Sequence, residues 1–149
     1  MKKAFSFCLF LSICFFSLFF TGCKKEPDLN TLLVTEIGPT SAKTGGNVTD
    51  DGNADIDVRG VCWSTREKPT INDPRTTDGY GVGPFTSVLT GLTPKTLYYV
   101  RAYAKNTEGT GYGNEVTFTT TELSVPALTT VPVTGITQTT AVSGGDITF

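Results

Sequence analysis

From residue 31 to residue 120 the chain alternates apolar and polar side chains in short bursts separated by Gly, Pro, Asn and Asp. The bursts fall at 31–37 and 42–49, parted by Gly38-Pro39, and at 56–64, reached through Asp50-Asp51-Gly52-Asn53. Further bursts lie at 85–89, at 97–105 and, past a turn at 106–109, at 112–120. Side chains of a strand point alternately to opposite faces, so a period of two on Thr- and Val-rich segments predicts strands. The polar stretch 65–83, with Pro69, Asp73-Pro74 and Asp78-Gly79, has room for one short strand more. No window holds a helical period, and the glycines and prolines would break one. Strands this short, with turn residues between them, predict an all-β antiparallel sandwich. Within 97–105 the alternation assigns Tyr98, Val100, Ala102 and Ala104 to the core and Tyr99, Arg101, Tyr103 and Lys105 to the outer face. Val116 and Phe118 repeat the inward pattern. For 56–64 two registers fit: Val61 and Trp63 inward, or Gly60 and Cys62 inward.

The first residues have another composition. Lys2 and Lys3 precede an apolar run from Ala4 to Phe20, interrupted by Ser6, Ser12 and Ser17, and 7 of the 10 phenylalanines lie before residue 21. A basic start, an apolar stretch and small residues ahead of a polar segment describe a helical secretory signal. A membrane-spanning helix wants about 20 apolar residues, more than this run supplies. Thr21-Gly22-Cys23 resembles the lipobox of bacterial lipoproteins. That resemblance implies a signal peptide over 1–22 and diacylglyceryl and fatty acyl (palmitate-type) chains on Cys23, which becomes the first mature residue. Two or more chains hold a protein stably on a bilayer, so the implied partner is a membrane. Lys24 stands where an Asp would resemble an inner-membrane retention signal, which points to the bacterial cell envelope and its outer membrane, with either face open. Residues 23–30 then read as a polar tether. Of the four cysteines, Cys8 and Cys14 leave with the signal and Cys23 is acylated, so Cys62 stands alone in an apolar strand as a buried, inert thiol.

A long repeat sets the domain plan. Residues 34–49, VTEIGPTSAKTGGNVT, align with 133–148, VTGITQTTAVSGGDIT, at an offset of 99 with 8 of 16 positions identical, including Gly45-Gly46 with Gly144-Gly145. A period this long reads as tandem domains: one over 31–121, a linker over 122–132, and the truncated start of a second over 133–149.

The most specific stretch is Leu92-Thr93-Pro94-Lys95-Thr96-Leu97-Tyr98-Tyr99-Val100-Arg101-Ala102. It resembles the fibronectin type III signature, Leu-x-Pro-x-Thr-x-Tyr-x-Val-x-Ala, matched at Leu92, Pro94, Thr96 and Tyr98. The resemblance implies an immunoglobulin-like, seven-stranded antiparallel sandwich in which Tyr98 forms a corner, its hydroxyl bonding to backbone just upstream. Residues 112–120 are similar to the family's last strand. Gly60-Val61-Cys62-Trp63-Ser64 resembles a subtype found in tandem in surface lipoproteins of polysaccharide-degrading bacteria. Trp63 departs from the family pattern, which carries its tryptophan on the second strand.

Candidate chemistry is sparse. The chain has no histidine, which removes Ser-His-Asp and Cys-His systems and imidazole metal sites. Only 17% of residues are charged, and removing Lys2 and Lys3 leaves 10 basic against 14 acidic residues, or −4, so no nucleic-acid footprint is expected. Asp51-x-Asn53-x-Asp55-x-Asp57 has the spacing of a calcium loop, but an EF-hand needs Gly where Ile56 stands and Glu where Cys62 stands. It reads as a solvated turn; no metal and no cofactor is called for. The carboxylates gather in turns with no apolar pocket around them, so no catalytic residue is assigned. Tyr99, Arg101 and Tyr103 are the candidate binding surface, since exposed rings stack on sugars or anchor protein contacts. The expected function is a non-catalytic, lipid-anchored spacer, display or protein-interaction module. The alternatives are a carbohydrate-binding or adhesion module using exposed aromatics and part of a larger polysaccharide-degrading enzyme.

Overall fold

Alternation along the strand Leu97–Lys105 organises the molecule, because its inward residues Tyr98, Val100, Ala102 and Ala104 are all buried at the centre of the fold. The computed structural model describes residues 23–148; the signal read over 1–22 lies outside the described residues. Nine strands are described: β1 (Asp28–Thr31), β2 (Ser41–Asp50), β3 (Val58–Ser64), β4 (Gly83–Thr90), β5 (Leu97–Lys105), β6 (Thr110–Tyr112), β7 (Val116–Thr119), β8 (Ala127–Thr134) and β9 (Val142–Thr148). One antiparallel sheet runs β1-β2-β4, and the second runs β3-β5-β6 with β7 also paired to β5. These seven strands make the sandwich. The segment expected as one strand over 112–120 is two, β6 and β7, both on β5, with the chain leaving the ladder between them.

The two sheets close on Leu29, Val48, Ile56, Val61, Phe85, Leu89, Leu92, Tyr98, Val100 and Phe118, with Val34, Ile37 and Trp63 packed against them. This decides the register of β3: Val61 and Trp63 face the core. Gly46 in mid-strand β2 has a packing reason. A Cβ there would stand 2.6 Å from Ala102 Cβ and 2.7 Å from the Phe85 ring, so only glycine lets the sheets approach this closely.

The first strand sits earlier than the pattern suggested. The expected strand at 31–37 is interrupted, retaining the bridge Thr35↔Lys43 and a contact from Leu32 N–H to Gly45 O, while regular pairing occupies Asp28–Thr31. Among the described residues β8 and β9 pair only with each other, and their register repeats that of β1 and β2. Leu29↔Val48, Thr31↔Gly46 and Thr35↔Lys43 correspond, each shifted by 99, to Leu128↔Ile147, Thr130↔Gly145 and Thr134↔Val142.

Candidate functional site

The outer face of the β3-β5 sheet was expected to display Tyr99, Arg101 and Tyr103. The structure covers much of it. Residues 74–79 run antiparallel along β3: Trp63 N–H donates to Pro74 O, Thr76 N–H to Val61 O, Asp78 N–H to Arg59 O, and Arg59 N–H to Gly79 O. The stretch with room for one short strand thus lies against β3 as an irregular edge. The residues before it fold back across the sheet, where Ile71 N–H donates to the Tyr112 hydroxyl and Lys68 N–H to the Glu115 carboxylate.

Tyr103 is therefore not a surface residue: it is 2% exposed, and its hydroxyl donates to Thr76 O at 2.7 Å. The residue opposite it on β3 is Gly60, which has no side chain to block the ring's path to residue 76. Burial also raises the Tyr103 phenol pKa above its ordinary value. Arg101 donates from Nε to Gly113 O at 3.1 Å and lays its guanidinium over the Tyr112 ring at 4.5 Å. Tyr99 stays half-buried. The three residues proposed as one binding patch thus have three different environments. Period-two alternation reports which face a residue takes, but not whether a loop later covers that face.

Cys62 shares this covered face. It is fully buried, and burial pushes its thiol up to about 11, which leaves it in the neutral form at neutral pH. A hollow of about 190 Å³ lined by Val58, Ile71, Arg75, Thr77, Tyr103 and Lys105 remains beside the arm. Among the described residues no group of three or more His, Cys, Asp or Glu side chains is placed to hold a metal ion. The Asp51–Asp57 spacing forms turns, with Asp50 and Asp51 carboxylates accepting from Gly52 and Asn53 N–H.

At the corner, Thr93 N–H donates to the Tyr98 hydroxyl at 3.0 Å, and the Tyr98 ring stacks on Phe118 at 5.7 Å. Leu92 is in the core, Thr96 Oγ1 donates to Pro94 O, and Thr120 Oγ1 closes the turn on Thr93 O.

The segment read as a tether, 23–30, is mostly part of the fold. Lys25 N–H donates to Gly52 O at 2.9 Å, Pro27 is buried, and β1 begins at Asp28. Lys25 Nζ pairs with Asp28 and Asp50; these contacts raise the lysine pKa, while Gly52 N–H and Lys25 lower that of Asp50. Asn106, 1% exposed, ties this segment down, donating from Nδ2 to Lys25 O and Asp51 O and accepting at Oδ1 from Glu108 and Gly109 N–H. Gly111 faces the segment too; a Cβ there would stand 1.9 Å from Pro27 O. Sequence reading missed Asn106, although its place at the head of Asn106-Thr-Glu-Gly109 marks a turn that an Asn side chain can close.

Cys23 itself is exposed, its carbonyl accepting from Asn53 Nδ2 at 3.4 Å. A polar hollow of about 480 Å³ beside it is lined by Lys24, Asp51, Asn53, Asp55, Asp57 and Thr107, among others. Two exposed residues that the sequence reading did not single out, Tyr80 and Val82, belong to the glycine-rich loop 79–83. Arg59 braces that loop by donating from its guanidinium to the carbonyls of Gly81, Val82 and Gly83.

No protein-family model matches the chain, and no curated protein matches it. Solved structures do. The sensor domain of the anti-sigma factor RsgI4 of Pseudobacteroides cellulosolvens aligns at 16% identity with a TM-score of 0.50, covering 66% of this chain and 98% of that one. The fold is fibronectin type III-like. Two further sandwiches also align: the third fibronectin III domain of human KIAA0343 protein, at 20% identity and TM-score 0.49, covers 70% of this chain and 87% of that one. A computationally redesigned β-sandwich, at 27% identity and TM-score 0.47, covers 67% of this chain and 98% of that one. Between the β1-β2-β4 and β3-β5-β6/β7 sheets of this fibronectin type III-like sandwich the facing apolar side chains form one core. The chain enters at Lys25 beside Gly52 and leaves at the other end, where Thr121 N–H donates to Gly38 O.

Proposed function

We propose that this chain is a non-catalytic, lipid-anchored cell-envelope protein whose sandwich acts as a spacer or display module. The observation that carries this reading is the placement of entry and exit at opposite ends of the sandwich, with the Thr21-Gly22-Cys23 lipobox resemblance directly ahead of the entry. A domain connected in that way adds its whole length between an anchor and whatever follows. For the nine-residue strand β5 that length is about 30 Å at ~3.3 Å per residue. We read β8–β9 as the opening hairpin of a second sandwich of the same kind, supported by the register it shares with β1–β2. The burial of Tyr103 and the pairing of Arg101 with Tyr112 count against the glycan-binding alternative on this sheet face.

Metabolic labelling with a fatty acid in a bacterial host tests the anchor. Label should enter the native chain and be lost in Cys23→Ala. Equal labelling of both, or of neither, refutes acylation at Cys23.

A further inference from the structure

We propose that the sandwich stands end-on against the membrane, with the loops at residues 51–57, 79–83 and 106–109 held in or beside the phospholipid headgroup layer. This rests on acylation at Cys23 and adds an orientation to it. The argument is one of reach. Lys25 is fixed to Gly52 O through its own N–H and to Asn106 Nδ2 through its carbonyl, so the last residue free of backbone pairing after Cys23 is Lys24. Two residues of fully extended chain span at most about 7 Å. An acylated Cys23 therefore keeps the loop end of the domain within about that distance of the bilayer surface, less than the diameter of the domain. A floppy tether of the length read from the sequence would have allowed every orientation; the docked segment does not.

The chemistry of this end fits the location. Gly81 N–H donates to Ile56 O, which places the 79–83 loop beside the 51–57 loop, and that loop exposes Tyr80 (79%) and Val82 (57%). A tyrosine ring with an aliphatic neighbour suits the interface, where one end of the ring is apolar and the hydroxyl remains wet. Arg59 holds the loop by three carbonyls, so the two side chains are presented by a braced backbone. Asp51, Asp55 and Asp57 line the hollow at this end with one cation, Lys24, and this acidic excess suits the ammonium groups of phosphatidylethanolamine better than an anionic lipid.

The test uses the acylated full-length protein, its acyl mass on Cys23 confirmed, reconstituted in phosphatidylethanolamine/phosphatidylcholine vesicles that contain lipid spin-labelled at the headgroup. Single fluorophores are attached at Thr107→Cys and Val82→Cys near the anchor and at Thr40→Cys at the far end; buried Cys62 does not compete for the reagent. Several-fold stronger quenching at 107 and 82 than at 40 is expected. Inserting a flexible eight-residue Gly-Ser segment between Cys23 and Lys24 should bring the three positions towards equal quenching while the protein still floats with the vesicles. Equal quenching in the acylated, uninserted protein overturns the orientation and leaves the anchor standing. Absence of acyl mass on Cys23 overturns the anchor, and the orientation with it.

Discussion

Replacing Asn106 by alanine removes one side chain that joins three separate stretches of chain: the entry at Lys25, the turn at Asp51, and the turn of residues 106–109. Four hydrogen bonds vanish, two donated by Nδ2 at 2.8 Å each and two accepted by Oδ1 at 2.9 and 3.1 Å. At a net of about 0.5–1.5 kcal/mol each, the sum is about 2–6 kcal/mol. The partner groups lie at the partly buried end of the sandwich, where water can take over some of the orphaned carbonyls and amides. That moves the expectation to the lower half, about 3 kcal/mol, or roughly 15 °C in Tm for a domain of this size. Urea unfolding followed by the fluorescence of Trp63, the chain's one tryptophan, measures it. Asn106→Asp separates hydrogen bonding from shape, because it keeps both acceptors and turns the donor into a carboxylate oxygen facing two carbonyls. Burial and those carbonyls raise the folded-state pKa of the introduced carboxyl above its unfolded value of about 3.9. The folded variant then binds more protons than the unfolded one, so its stability is greatest below the unfolded pKa and falls as pH rises through the folded one. The deficit relative to the native chain should be larger at pH 7.5 than at pH 4. A loss below 1 kcal/mol for Asn106→Ala, or the same Asn106→Asp deficit at both pH values, would refute the argument.

Three further outcomes are expected. Tyr98→Phe keeps the ring on Phe118 but leaves Thr93 N–H without its acceptor, so it should cost about 1–2 kcal/mol in urea unfolding and speed amide exchange at Thr93. An unchanged midpoint would mean that water replaces the hydroxyl at no cost. Gly111→Ala sets a methyl against the Pro27 carbonyl and should destabilise by about 1–3 kcal/mol, with faster hydrogen exchange over residues 25–31; exchange that accelerates everywhere except there would contradict the docking of that segment. The Cys62 thiol, pushed up to about 11 by burial, should resist a maleimide at pH 8 and react only as fast as the domain unfolds. Complete labelling within minutes in the absence of denaturant would show that the covering arm opens freely.

What the sequence determined by itself was local or periodic. Alternation placed Tyr98, Val100, Ala102 and Ala104 inward, because the pleat of a strand allows no other assignment once the core face is known. The Leu92–Tyr98 spacing announced the fold, and the 99-residue offset marked which residues correspond between the β1–β2 and β8–β9 segments. Other features needed the folded chain. Nothing in the period of β5 says that residues 68–79 will cross its outer face, so Tyr103 reads as surface-facing and is in fact buried. Likewise Lys24-Lys25-Glu26-Pro27-Asp28 has the composition of a tether. It is held by Gly52, Asn106 and the space left at Gly111, residues distant in sequence that meet it only when the sandwich has closed. Pattern along a chain encodes which side a residue takes; cover and anchorage come from long-range contacts, and those are decided by the tertiary structure alone.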